Sequence, residues 1–181
     1  MTRDALVALL RDADPLAAAR HLPPAPDVVT WTRAPSPEAW LSDGDEEHSV
    51  AEHRAAHREG RPSEATVTYG AGVSPEAVAD RLLALGALAR ETALLRAVCP
   101  VPAEGSAERP GSWGVEDLTV IAAARLACPD ATWIRPDWRR LGAGACQVAT
   151  AFGANDWRVP DDEHADVAGL AASAGRTAVE R

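Results

Sequence analysis

Apolar positions recur along this chain with two periods, near 3.6 and near two, and the switches between them mark its elements. Leu6, Leu9, Leu10, Leu16 and Ala17 keep helical spacing and predict a first helix from Thr2 or Asp4 to about Arg20, with Asp14-Pro15 as a break or restart. Pro23-Pro24-Ala25-Pro26 is a stiff extended linker, and Val28 to Trp31 is a short β-prone run closed by Pro35 and Pro37. Asp45 to Glu59 reads as a polar helix with Gly60 at its C-cap. Ala65-Thr66-Val67-Thr68-Tyr69 alternates cleanly and is the best strand of the chain, ended by Gly70-Ala71-Gly72. Ser74-Pro75-Glu76 then opens a helix with a cap, a first-turn proline and an acid at the positive end of the dipole. Leu82, Leu83, Leu85 and Leu88 carry its apolar side towards Thr92. Leu95 to Cys99 is strand-like, and 103–112 is a polar loop.

The stretch from Gly114 to Asp156 repeats this grammar as helix, strand, helix, strand. Glu116 and Asp117 open the first helix, Cys128-Pro129-Asp130 stops it, and Ala131 to Arg135 is extended. Leu141 to Ala151 is again helical, and Phe152-Gly153-Ala154 leads into a strand that ends in Asn155-Asp156. Asp161 to about Ala174 predicts a last short helix, with Gly175 to Arg181 as a tail.

Strand candidates at 28–31, 65–69, 95–99, 131–135 and 153–157, separated by helices, predict βαβ units and a parallel sheet. A closed eight-stranded barrel takes about 250 residues, and this chain has 181. The expectation is an α/β fold, a partial (half) TIM-type barrel of about five βα units. Its segments are an N-terminal helix at 1–22, a Pro-rich linker with a short strand at 23–42, and the half-barrel at 43–181. Half a barrel leaves two strand edges open and aims Val67, Tyr69 and Val98 into a half-empty interior. A second copy, a partner chain or the N-terminal helix must cover it, and self-association is the favoured expectation.

Composition narrows the function classes. A formal net charge of -9 disfavours nucleic acid and anionic membranes as partners, because both select a basic surface. No apolar run approaches 18 residues, and MTRDALVALLRDAD lacks the basic start and unbroken apolar core of a signal peptide. A cytoplasmic location is expected. Cys99, Cys128 and Cys146 are too few and too widely spaced for a disulfide framework or a metal signature. His53 and His57 stand four apart, with His48 before them, but Arg54-Ala55-Ala56 lies between where a zinc protease helix carries glutamate. No metal site is expected. Gly142-Ala143-Gly144-Ala145 lacks both the dinucleotide and the Walker pattern.

Candidate ligand-binding residues sit at strand ends, where α/β folds place their sites. Tyr69 and Gly70 end the best strand, and a glycine there admits a ligand close to the backbone or simply makes a turn. Asn155 and Asp156 offer groups for hydroxyls or an amide, or cap the turn that follows. Trp138, with Trp133 and Trp157, forms a stacking wall or part of the core. Arg135, Asp137, Arg139 and Arg140 make a charged patch beside them, either a solvated face or a docking surface.

An ordered set of short matches then resembles a known family. It comprises His53-Arg54-x-Ala56-His57-x-x-Gly60, Ala65-Thr66, Tyr69-Gly70, Pro75-Glu76, Glu91-Thr92 and Pro100. It continues with Asp117-Leu118, Ile121-Ala122-x-Ala124-Arg125-Leu126, Trp138-x-x-Leu141-Gly142, Gln147-Val148-Ala149 and Phe152-Gly153-Ala154-Asn155-Asp156. It closes with Ala168-Gly169, Ala174-Gly175-Arg176 and Val179-Glu180-Arg181. Over about 43–181 the chain resembles the C-terminal half of the radical S-adenosylmethionine enzymes of the futalosine route to menaquinone, aminofutalosine synthase above all. Related deazaflavin-cofactor synthase subunits share much of the pattern.

The resemblance implies a barrel that uses S-adenosylmethionine and a 4Fe–4S cluster held by Cys-x3-Cys-x2-Cys. That triplet is absent here, along with the strands that carry it, so no cofactor is expected. The family's Tyr-Gly-His becomes Tyr69-Gly70-Ala71, and its Asn-Asp-Leu-(Asp/Gly)-Gly-Thr becomes Asn155-Asp156-Trp157-Arg158-Val159. The function expected is a degenerate, non-catalytic paralogue that acts as a binding or regulatory partner, docked on a full-length radical S-adenosylmethionine homologue or on itself. The alternatives are an enzyme that keeps a role in menaquinone biosynthesis, or a small-molecule-binding module.

Overall fold

The computed structural model describes residues 1–33, 41–42, 47–105 and 114–181. Helix α1 (Arg3–Asp12) is capped by the Thr2 hydroxyl and stops at Ala13, whose backbone is left-handed. Asp14 caps α2 (Pro15–Ala19), so Asp14-Pro15 is a restart. Strand β1 (Val28–Thr32), β2 (Leu41–Ser42), α3 (Val50–Arg58), β3 (Ser63–Tyr69), α4 (Pro75–Thr92) and β4 (Leu95–Pro102) follow. Then come α5 (Val115–Ala127), β5 (Trp133–Ile134), α6 (Trp138–Ala149), a 3-10 turn at Thr150–Phe152, β6 (Asp156–Arg158), α7 (Val167–Ser173) and β7 (Thr177–Glu180).

Several boundaries differ from the sequence reading, each for a local reason. The polar helix begins only at Val50, because Ser49 and Glu52 close a capping box there; Asp45 and Glu46 lie outside the described residues. The last helix is shorter than 161–174 because Asp166 caps it. The predicted tail contains β7, which pairs with β1. Asn155-Asp156 opens β6 instead of ending a strand.

The class is α/β, and every strand pair among the described residues is parallel. The strands form a four-stranded sheet, β2-β3-β4-β5, and a three-stranded sheet, β6-β1-β7. Asn155 joins them: its N–H donates to the Ile134 carbonyl at 3.1 Å, and its own carbonyl accepts from the Thr30 N–H at 3.1 Å. Among the described residues the sheets do not close. Strand β1 lies between β6 and β7, away from the β2 neighbour that a sequential barrel would give it.

One apolar core lies between the β3-β4-β5 face and helices α1, α4 and α5; a second joins Val29 and Trp157 to Trp138, Cys146 and Val167. Val67, Tyr69 and Val98 belong to the first core and are at most 1% exposed. The expectation that they point into a half-empty interior is therefore wrong. They face the helices, and the row that alternates with them is polar. Leu6, Val7 and Leu10 of α1 share this core, and α1 is tied to α4 by Arg3–Asp80 and Arg11–Glu76 pairs at the surface.

His53 and His57 turn inward from α3 and share Ser63: His53 Nδ1 lies 2.9 Å and His57 Nε2 2.8 Å from its hydroxyl, while His57 Nδ1 lies 2.7 Å from Thr92 Oγ1. Burial, with smaller pushes from His53 and Arg54, holds the His57 imidazole below its ordinary pKa. The neutral ring is the folded form, so its contribution is complete above the unfolded value of about 6.5. It is lost as pH falls through that value towards the folded pKa. The melting temperature should drop between about pH 7 and 5, and less steeply in His57→Gln; equal slopes in the two proteins would dismiss this histidine as the source.

No helix among the described residues is long and apolar enough to cross a membrane.

Candidate functional site

Strand alternation puts Glu64, Thr66 and Thr68 on the face opposite the helices, because Ala65, Val67 and Tyr69 occupy the core face. The pairing register sets Ala97, Cys99 and Val101 beside them. Thr30, Asp156 and Arg158 occupy the same face of the other sheet, since Val29 and Trp157 are core.

A row of alternating charges crosses both sheets on this polar face. Arg135, just after β5, donates through Nη1 and Nη2 to the two Glu64 oxygens, each at 2.8 Å, and through Nε to Asp156. Arg158 donates from Nη2 to Glu64 at 2.6 Å. Arg181 grips Asp156 from the other side, with Nε at 3.0 Å and Nη2 at 2.8 Å, and its guanidinium lies 3.8 Å above the Trp133 ring. Thr30 Oγ1 also donates to Asp156.

The three central side chains of the row, Glu64, Arg135 and Asp156, are at most 4% exposed. Buried charges persist only when paired and hydrogen-bonded, and these are. Burial pushes the Glu64 carboxyl up, but Arg135 and Arg158 outweigh it and hold it below the ordinary range. Burial likewise opposes the Arg135 charge, yet Cys99, Asp156 and Glu64 keep its pKa above the ordinary value.

Between this row and the start of α6 lies a cavity of about 210 Å³ lined by Glu64, Thr66, Cys99, Arg135, Trp138 and Arg158, with Val101, Pro136 and Pro160 as apolar wall. A larger cavity of about 680 Å³ shares Thr66, Val101, Asp137 and Arg139 with it and continues past Thr68, Pro102 and Arg140. Burial pushes the Cys99 thiol up to about 11, so at neutral pH it is a weakly polar wall residue, not a nucleophile.

The structure brings only some of the sequence candidates together. Asp156 stands in the charge row and Trp138 lines the cavity. The Trp138 indole donates to Glu163 at 2.6 Å and meets Trp157 edge-on with centroids 5.8 Å apart. Asn155 borders the row as the splice between sheets: its side-chain oxygen accepts from Ile134 N–H and Arg125, and its amide nitrogen donates to Thr132 O. Tyr69 and Gly70 lie elsewhere. The Tyr69 hydroxyl donates to Asp117 Oδ1 at 2.6 Å inside the core, and Gly70, at φ +88°, makes the turn that follows. Neither lines the cavity.

Arg135, read from sequence as part of a solvated or docking patch, is the centre of the buried row. Glu64, Arg158 and Arg181 are absent from the sequence candidates. The signal for Glu64 was its place one residue before the predicted strand, in phase with Thr66 and Thr68.

The residues present do not fit an iron–sulfur cluster. Cys99 is on the polar face, Cys128 is buried with its thiol 3.2 Å from the Leu82 carbonyl, and Cys146 sits in the second core. Burial raises the thiol pKa of all three, against the thiolate that a cluster needs.

No protein-family model matches the chain. It is similar to a 5-amino-6-(D-ribitylamino)uracil–L-tyrosine 4-hydroxyphenyl transferase of Archaeoglobus fulgidus, 34% identical over 109 residues that cover 57% of this chain and 32% of that protein. A protein of the same name from Methanococcus aeolicus is 30% identical over 114 residues, covering 58% of this chain and 31% of the relative. The chain thus spans about a third of the length of the curated relatives it matches. These relatives correct the branch expected from sequence: the similarity found runs to ribitylaminouracil–tyrosine transferases, not to aminofutalosine synthase.

Proposed function

We propose that this chain is a small-molecule-binding unit related to the ribitylaminouracil–tyrosine transferases, and that it does not itself perform radical chemistry. The observation that carries this reading is the cavity on the polar face of the sheet, walled by Glu64, Arg135 and Arg158. A ligand of the aminopyrimidine–polyol class, such as the 5-amino-6-(D-ribitylamino)uracil in the relatives' name, matches it chemically. Its ring and hydroxyls offer both donors and acceptors, and binding sites typically combine a concave apolar wall with a few placed polar groups.

In this reading the strand run β2-β3-β4-β5, continued into β6 through Asn155, is an arc of a barrel that does not close. Its residues bind and orient. Cys128 and Cys146 pack in the two cores and Cys99 is a wall of the cavity, so any radical step belongs to groups that these thiols do not hold. Strands β2 and β7 each pair on one side among the described residues, and an assembly with a second copy or with a radical S-adenosylmethionine homologue is the natural cover for those edges.

Titration calorimetry with 5-amino-6-(D-ribitylamino)uracil tests the reading. A saturable signal of one ligand per chain, weakened when the Cys99 wall is enlarged in Cys99→Phe, is the expected result. Absence of any heat at millimolar ligand, with the protein shown to be folded by circular dichroism, would remove the proposal.

A further inference from the structure

We propose that the polar-face cavity is a carboxylate-recognition site in which Arg158 takes the anion. This rests on the reading of the chain as a binding unit and adds what one of its ligands must carry. Three guanidiniums (Arg135, Arg158 and Arg181) face two carboxylates (Glu64 and Asp156), which leaves one positive charge in the row. That surplus is displayed at Arg158, whose side chain is 34% exposed while Arg135 is 4% exposed.

The acceptors around the cavity are already engaged. Both Glu64 oxygens are held by Arg135, one of them also by Arg158; Asp137 Oδ1 accepts from the Arg139 and Arg140 N–H groups at the start of α6, and its Oδ2 pairs with Arg140 Nε at 3.5 Å. Donors are left over. Among the described residues Arg158 makes one hydrogen bond, through Nη2 to Glu64, and a guanidinium has five N–H groups to give. Arg139, further out, gives one side-chain bond to Asp162 at 3.1 Å. A lining with spare cationic donors and occupied acceptors selects an acceptor-rich anion.

The rest of the wall decides which anion. Val101, Pro136, Pro160 and Trp138 are apolar or aromatic and suit a carbon skeleton behind the charged group. An inorganic phosphate would leave that wall wet, and its second negative charge would sit beside Glu64 and Asp137. A small organic carboxylate matches both halves of the cavity.

The test compares probes that differ only in the anion. L-tyrosine and 4-hydroxyphenylacetate should bind to the unmodified protein, and tyramine, which lacks the carboxylate, should bind about ten- to a hundredfold more weakly. Arg158→Gln should lose a similar factor for the two acids and change tyramine little, with Arg158→Lys in between. Equal binding of L-tyrosine and tyramine would overturn the assignment, and so would phosphate that displaces 4-hydroxyphenylacetate at equal concentration. Binding of 5-amino-6-(D-ribitylamino)uracil with no binding of either acid would sink the carboxylate site alone and leave the binding-unit reading standing. Loss of all binding would end both.

Discussion

Replacing Arg135 with methionine is expected to cost about 3–5 kcal/mol of folding stability, the usual penalty for removing one partner of a buried ion pair. Arg135 satisfies Glu64 with two hydrogen bonds and Asp156 with a third, and both acids lose nearly all contact with water. Without the guanidinium, two buried carboxylates remain with Arg158 and Arg181 at their outer ends, and nothing stands between them. A loss of this size approaches the whole stability of an ordinary domain, so the variant should melt far below the unmodified protein or fail to fold. Arg135→Met combined with Glu64→Leu and Asp156→Asn removes the stranded charges with their partner and should recover most of the loss. Urea denaturation measures both. An Arg135→Met midpoint close to that of the unmodified protein would show that the row is decoration.

Gly86→Ala should also destabilise, although alanine in a helix interior normally gains about 1 kcal/mol over glycine. Gly86 is in the middle of α4, and a Cβ built there would lie 2.0 Å from the Ala127 carbonyl oxygen and 3.0 Å from its carbon. The obstacle is backbone at the end of α5, which cannot rotate away as a side chain can. The Cys128 thiol already donates to the Leu82 carbonyl at 3.2 Å in the same contact. Parting the two helices would loosen the core, at about 1–3 kcal/mol or more. Thermal melts of Gly86→Ala beside a solvent-facing control such as Gly144→Ala, whose Cβ meets nothing within 4 Å, separate the effects. A rise in melting temperature for Gly86→Ala would refute the close packing.

Much of the element order was legible because its signals are local. Ser74-Pro75-Glu76 fixed the start of α4, and αL geometry at the C-cap Ala93 ends it at the expected Thr92. The strand at 65–69 was visible by alternation alone, although β3 starts two residues earlier. What failed was direction. Alternation says that Val67 and Tyr69 share a face but not which side that face meets. Reading it as the barrel interior produced the empty-interior argument, whereas the apolar row meets the helices and the charges fill the other side. The site was half legible for the same reason. Asp156 and Trp138 were named from position, but their partners Glu64, Arg158 and Arg181 are distant in sequence and become neighbours only through strand pairing. Strand β7 was missed because Thr177–Glu180 is short and largely exposed, and only its pairing with β1 gives it identity.

The placement of β1 also sets a timetable for synthesis. Thr30 bonds to Asp156, 126 positions later in the chain, and Val28 waits still longer for Thr177. At translation rates of about 5–20 residues per second, roughly 6–25 seconds pass before the first of these partners exists. Over that interval Val28, Val29 and Trp31 leave the ribosome as an apolar segment with both hydrogen-bonding edges vacant, while β3, α4 and β4 can already dock on one another. Among the described strands β1 is made first and placed last, so a newborn chain is most open to capture by chaperones, or by its own copies, at this strand.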